Sequence, residues 1–269
     1  MTTPLRFSVL LVLAAVLGLF GVVSFASANH SWGGYHWART ANPFTLKLGD
    51  NVTSKWDSYL AVASTDWSVS NILDTTIVAG NGSRNCRPTA GRAEICSKSY
   101  GNNGWLGIAS IWISGGHITQ GTVKMNDTYF NTVTYNTPAW RQFVMCQEVG
   151  HIFGLDHQDI DFYNANLGTC MDYTSNPGTN QHPNQHDYDQ LETIYAHLDS
   201  ITTLAKTSST GTNRVQADDS DLTNEREWGR ETRRSTDGRS SVYERDLGQG
   251  DKILTHVFWA EPRNDHARN

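Results

Sequence analysis

Gln147-Glu148-Val149-Gly150-His151-Ile152-Phe153-Gly154-Leu155-Asp156-His157 follows a stretch that opens with Thr137-Pro138 and carries apolar residues at Trp140, Phe143, Val144 and Ile152. A hydroxyl at the N-cap and proline at the first helical position predict a helix starting here, and Gly154 is its natural stop. Positions 147 and 151 then share one helical face, with 148 beside them. A glycine turn at 154, free to take a backbone conformation closed to most residues, brings His157 back toward that face. Two imidazoles and a carboxylate converge. Zinc takes neutral imidazole nitrogen well, and a catalytic zinc keeps three protein ligands and one open position, so Glu148 is placed as the base acting on water.

Outward from this helix, Phe44 to Leu48 alternates apolar and polar residues as a half-buried strand does. Ser54 and Asp57 suggest a capping box for a helix whose buried face is Trp56, Tyr59, Leu60, Ala63 and Trp67. Thr75 to Ala79 reads as a strand, and residues 80 to 104 as a long surface loop closed by Cys86 and Cys96. Two further strands, Trp105 to Ile113 and His117 to Met125, flank Ser114-Gly115-Gly116. Residues 190 to 205 show helical periodicity through Leu191, Ile194 and Leu198. The expected class is α+β, with a mostly parallel or mixed sheet.

The formal net charge of −6 over 269 residues, with no basic cluster in the first 200, argues against a nucleic-acid binder. Residues 1 to 28, one arginine followed by an apolar run closing on Ala26-Ser27-Ala28, read as a signal peptide. An uncleaved segment of this kind would instead anchor the chain in a membrane. In an exported chain four cysteines suggest two disulfides; with Cys86 and Cys96 flanking a small loop, Cys146 and Cys170 are left to pair. Residues 205 to 226 read as a charged polar linker, and 227 to 269 as a small β-rich appendage built on Ser241-Val-Tyr-Glu-Arg and Ile253-Leu-Thr-His-Val-Phe-Trp259.

Glu148-x-x-His151-x-x-Gly154-x-x-His157 resembles the zinc signature of the metzincin metalloproteases, such as matrixins, astacins and serralysins. Gly168-Thr-Cys-Met171-Asp-Tyr173 resembles the methionine-bearing turn that lies beneath their metal. The resemblance covers roughly residues 40 to 200. It implies a metzincin-like catalytic domain at 29 to 204 and an exported zinc endopeptidase acting on protein or peptide substrates, with Glu148 as general base, His151 and His157 on the zinc, and Tyr173 stabilising the transition state. A Cys146–Cys170 bridge would then tie the active-site helix to the methionine turn.

The sequence departs from the family at Gln147, where the first histidine ligand is expected. Three readings stay open. The amide oxygen of Gln147 replaces the imidazole as a weaker ligand; another group among His182, His186, Asp156 and Asp159 supplies the third ligand; or the metal site has lapsed and the protein is an inactive relative that binds a partner. Asp156, Asp159 and Asp161 also raise calcium as a second cation. His117, at a strand start, reads as structural or exposed.

Overall fold

A computed structural model describes residues 30–204 and 221–261. The expected signal peptide and most of the expected linker lie outside them. Among these residues nine strands join in one mixed sheet: β1 (His36–Trp37), β2 (Phe44–Asn51), β3 (Leu73–Ala79), β4 (Ala93–Lys98), β5 (Trp105–Ser114), β6 (His117–Asn126), β7 (Arg230–Arg234), β8 (Ser240–Gly248) and β9 (Asp251–Trp259). The order is β3-β2-β4-β6-β5-β9-β8-β7, with β1 paired to the start of β6. Pairings among β1, β2, β3, β4 and β6 are parallel, and those along β6-β5-β9-β8-β7 are antiparallel. The helices are α1 (Asp57–Trp67), α2 (Asp127–Phe130), α3 (Pro138–His151), α4 (Gln185–Ile194) and α5 (Glu225–Trp228). The molecule is therefore mixed α+β, and no helix among the described residues is long and apolar enough to cross a membrane.

α3 begins as the sequence predicts, with the Thr137 hydroxyl accepting from Trp140 N and Pro138 in the first turn. It lies close on β5 because Gly107 has no side chain: a Cβ there would stand 2.7 Å from Val144 Cγ1 and 2.8 Å from Glu148 Oε1. On its other side the Trp67 indole of α1 donates to the Cys146 carbonyl. Both expected disulfides, Cys86–Cys96 and Cys146–Cys170, are formed.

Four expectations need correction. α1 has Trp56 at its N-cap with no side-chain cap, so the Ser54–Asp57 box is not made. Residues 80 to 104 are not all loop: β4 lies between β2 and β6, its six residues too short for a legible alternation. Its buried Glu94 is tolerated because Arg92, Thr89, Asn51 and the Asn81 amide all donate to it. The closing helix runs over 185–194 rather than 190–205, because Asn184 and Asp187 form a reciprocal capping box earlier in the chain.

The fourth correction concerns the C-terminal strands, which are β-rich as expected but extend the main sheet instead of forming a separate unit. β9 pairs with β5 along Trp105–Ile113. Alternation along β9 turns Ile253 and Val257 to a cluster with Trp105, Ile108, Trp112 and Trp228, and turns Leu254 and Phe258 to the main core. His256 lies between Leu254 and Phe258 on the main-core side.

Candidate metal centre

α3 ends at His151, and the chain reverses at Gly154, whose φ is +93° and where a Cβ would meet the Tyr35 carbonyl oxygen at 2.1 Å. Only glycine fits there. The turn delivers His157 to His151: their Nε2 atoms are 3.1 Å apart and the ring centroids 4.5 Å. The third ring is His256, with centroids 4.2 Å from His151 and 4.7 Å from His157. Within this trio one nitrogen from each ring can be chosen so that all lie within 4.8 Å of one another.

Gln147 lies fully buried on α3 one turn before His151. Its amide nitrogen donates to the Cys170 carbonyl at 3.0 Å, and its buried oxygen has no partner. The other residues weighed as a third ligand have partners of their own. His182 pairs with Asp66 at 2.6 Å and His186 stacks on His30. Asp156 is gripped by Arg233 of β7 through two hydrogen bonds of 2.6 and 2.5 Å. Asp159 accepts from the Asp161 amide and from Asn164. Neither Asp156, Asp159 nor Asp161 belongs to a group that could hold a metal among the described residues, so calcium has no support here.

Glu148 is fully buried beside the trio. Its Oε2 is 3.0 Å from His256 Nδ1, and its Oε1 has no partner. Burial pushes its carboxyl up to about 8, an effect that His151 partly opposes. Tyr173 joins from the segment after Met171: its hydroxyl is 3.0 Å from His256 Nε2 and its ring stacks on His157 with centroids 4.0 Å apart. Burial holds that phenol well above its ordinary value. Met171 is buried under α3, its Sδ 2.6 Å from where a Cβ on Gly150 would be. The bridge Cys146–Cys170 joins the helix to this segment one residue before each site element.

One imidazole proton can be placed. His151 Nδ1 lies 2.9 Å from the Leu155 carbonyl oxygen, which only accepts, so Nδ1 carries the hydrogen. His157 Nδ1 is 3.3 Å from Asp156 Oδ1. Burial alone would raise the Asp156 carboxyl, but His157 and Arg233 hold it well below the usual carboxylate range. His151 Nε2 then turns its lone pair toward His157 Nε2, while His157 Nδ1 has no hydrogen-bond partner. Burial, reinforced by the neighbouring imidazoles, keeps His151 well below its ordinary pKa; burial likewise brings His157 and His256 down to about 3. Neutral rings offer lone pairs that a shared cation would use, and His157 Nδ1 and Glu148 Oε1 are buried there without partners. Three neutral imidazoles are a zinc donor set, so the residues fit that metal.

The centre is enclosed. Trp32 stacks on His151 with centroids 4.8 Å apart, and His30 to Trp32 hydrogen-bond to the 154–156 turn. β9 and the Arg233–Asp156 clasp close the other side. Glu148, His151 and His256 each have zero exposure.

Sequence reasoning missed His256, Arg233 and Trp32 as members of the centre. A histidine inside the apolar run Ile253 to Trp259 is the one local signal that could have drawn attention to the first. Neither a scan against protein-family models nor a search of curated proteins returns a match. Among solved structures, high choriolytic enzyme 1, a hatching enzyme zinc-protease from Oryzias latipes (Medaka fish), is similar at 8% identity and a TM-score of 0.34, over 60% of this chain and 94% of that one.

Proposed function

We propose that this protein is a zinc-dependent metallopeptidase of metzincin type, exported from the cell, in which His151, His157 and His256 hold the metal. The observation that carries the reading is the trio itself: His151 and His157, inside the Glu148-x-x-His151-x-x-Gly154-x-x-His157 motif, face each other with Nε2 atoms 3.1 Å apart, and His256 adds a third nitrogen so that all lie within 4.8 Å of one another. His256, coming from β9 rather than from α3, supplies the third imidazole that Gln147 does not.

Bound at these three rings, zinc would supply a Lewis acid that polarises a peptide carbonyl and lowers the pKa of water. Next to a divalent cation the Glu148 carboxyl moves from its raised value back toward the ionised form that a base needs. Its unpaired Oε1 accepts the proton of water and passes it to the departing amine nitrogen. Tyr173 donates its hydroxyl hydrogen to the oxyanion once that hydroxyl leaves His256. With Glu148 and two of the histidines at zero exposure, a peptide reaches this carboxylate only after Trp32 or the β9 side moves.

A second reading rests on that enclosure and on His256, whose two nitrogens already face Glu148 and Tyr173. In it, the centre is a closed structural site of an inactive relative. Zinc content and cleavage of a generic unfolded protein separate the two. The peptidase reading expects cleavage by the wild type and, in Glu148→Gln, retained zinc with cleavage abolished. Zinc without cleavage in the wild type selects the inactive relative, and retained turnover in Glu148→Gln overturns the mechanism.

A further inference from the structure

A ligand ring that is free to turn aims its nitrogen poorly, and the three rings of the trio are steadied by different neighbours. The Tyr173 ring stacks on His157 with centroids 4.0 Å apart, which fixes the plane of the imidazole but lets it turn within that plane. That turn decides where Nε2 points. For His151 it is set by the Leu155 carbonyl oxygen, 2.9 Å from Nδ1, and for His256 by Glu148 Oε2, 3.0 Å from Nδ1. His157 Nδ1 makes no hydrogen bond, and Asp156 Oδ1 lies 3.3 Å from it.

The Asp156 carboxylate is in turn held from β7. Arg233 grips both of its oxygens, Nη1 donating to Oδ2 at 2.6 Å and Nη2 to Oδ1 at 2.5 Å, and the His157 amide donates to Oδ1 at 2.8 Å. A guanidinium fork on a carboxylate fixes its orientation as well as its position, which a single contact does not. β7 is an edge strand whose pairing with β8 slips between Glu231 and Arg233, an irregularity of the kind that re-aims a side chain. The next arginine, Arg234, turns instead to Glu231 and to the Trp259 ring. Arg233 thus reaches across 77 positions of chain to the residue beside a motif histidine.

We propose that Arg233 is a positioning residue for the metal centre: it holds the Asp156 carboxylate on the Nδ1 side of His157 and so aims His157 Nε2 at the ion. The inference rests on the reading that the trio binds zinc. A neutral imidazole bound through Nε2 carries its hydrogen on Nδ1, and Asp156 Oδ1 stands beside that atom to receive it. A carboxylate in this place orients the ligand ring and raises its basicity. With Arg233 on β7 and His256 on β9, the C-terminal strands supply one ligand and steer another.

The test uses the full-length protein with cobalt(II) in place of zinc, because the visible absorption of cobalt reports ligand geometry. The part of the spectrum lost in His151→Ala belongs to the trio. Arg233→Ala is expected to shift those bands at saturating cobalt and to weaken zinc binding about 10- to 100-fold. Arg233→Lys, which offers one point contact in place of a fork, should fall between Arg233→Ala and wild type, and Arg234→Ala should match wild type. Circular dichroism checks that each variant folds. A role in stability alone would lower the melting temperature without moving the bands of the saturated centre. Unmoved bands in Arg233→Ala therefore overturn the inference and leave the centre standing. So does a spectrum identical to that of His256→Ala, which would mean that the arginine only docks β9. A wild type with no trio spectrum overturns the zinc reading itself.

Discussion

His256 Nδ1 stands 3.0 Å from Glu148 Oε2, joining residues 108 positions apart in the chain. Glu148 sits on α3 where the motif requires it, and His256 reaches it because β9 hydrogen-bonds along β5, the strand on which α3 packs. The centre is thus shared between the motif-bearing part of the chain and its C-terminal strands, and those strands have to be docked before a third imidazole is present.

Gln147 should be dispensable for metal. Its amide donates to the Cys170 carbonyl and its oxygen is unpaired, so Gln147→Ala is expected to cost about 1–2 kcal/mol of stability from that lost hydrogen bond and the space left behind. Zinc stoichiometry at the trio should not change. Calorimetric zinc titration beside a denaturant melt checks both; loss of the zinc with Gln147→Ala would restore the amide as a ligand.

The Cys146–Cys170 bridge closes a loop of sequence separation 24. Chain-entropy reasoning puts its stabilisation at roughly 3 kcal/mol, so Cys146→Ser with Cys170→Ser should lower unfolding stability by about that amount. Because the bridge holds α3 to the Met171–Tyr173 segment, zinc affinity should fall as well. A melt shifted without any change in zinc affinity would mean that the bridge supports the fold but not the centre.

Lys124 on β6 is buried, and its ammonium donates to the Asp221 carbonyl at the start of the C-terminal segment. Burial pushes its pKa down to about 7, against smaller opposing effects of Asp221 and Glu227. A lysine depressed below its unfolded value of about 10.4 leaves the unfolded chain holding more protons between the two, so this group makes stability rise as pH climbs from about 7 toward 10. Below pH 7 its contribution is at its least favourable. Lys124→Met should remove that rise, whose size is on the order of a few kcal/mol. Urea unfolding at pH 7 and pH 9 measures it, and an equal rise in the variant would show that Lys124 is not the source.

Much of the fold was legible where signals are local. Thr137-Pro138 marked the start of α3, Gly154 its reversal, Ser114-Gly115-Gly116 the β5–β6 hairpin, and the cysteine spacing both disulfides. β4 escaped notice because its six residues are buried on both faces and show no alternation, and because the polarity of Glu94 is answered by partners distant in sequence. At the centre, the motif pointed to His151, His157 and Glu148, which the fold brings together. His256 could not be placed from local pattern, since its position depends on pairing between β5 and β9, which lie far apart in the chain and are separated by residues whose charge suggested a boundary.

The most direct test is zinc bound at the trio in wild type, His256→Ala and Gln147→Ala. One zinc per chain is expected in wild type and in Gln147→Ala. In His256→Ala the affinity should fall by more than the roughly 10- to 100-fold that loss of a supporting partner costs. Undiminished zinc in His256→Ala, or none in wild type, would contradict a centre completed by the C-terminal strand.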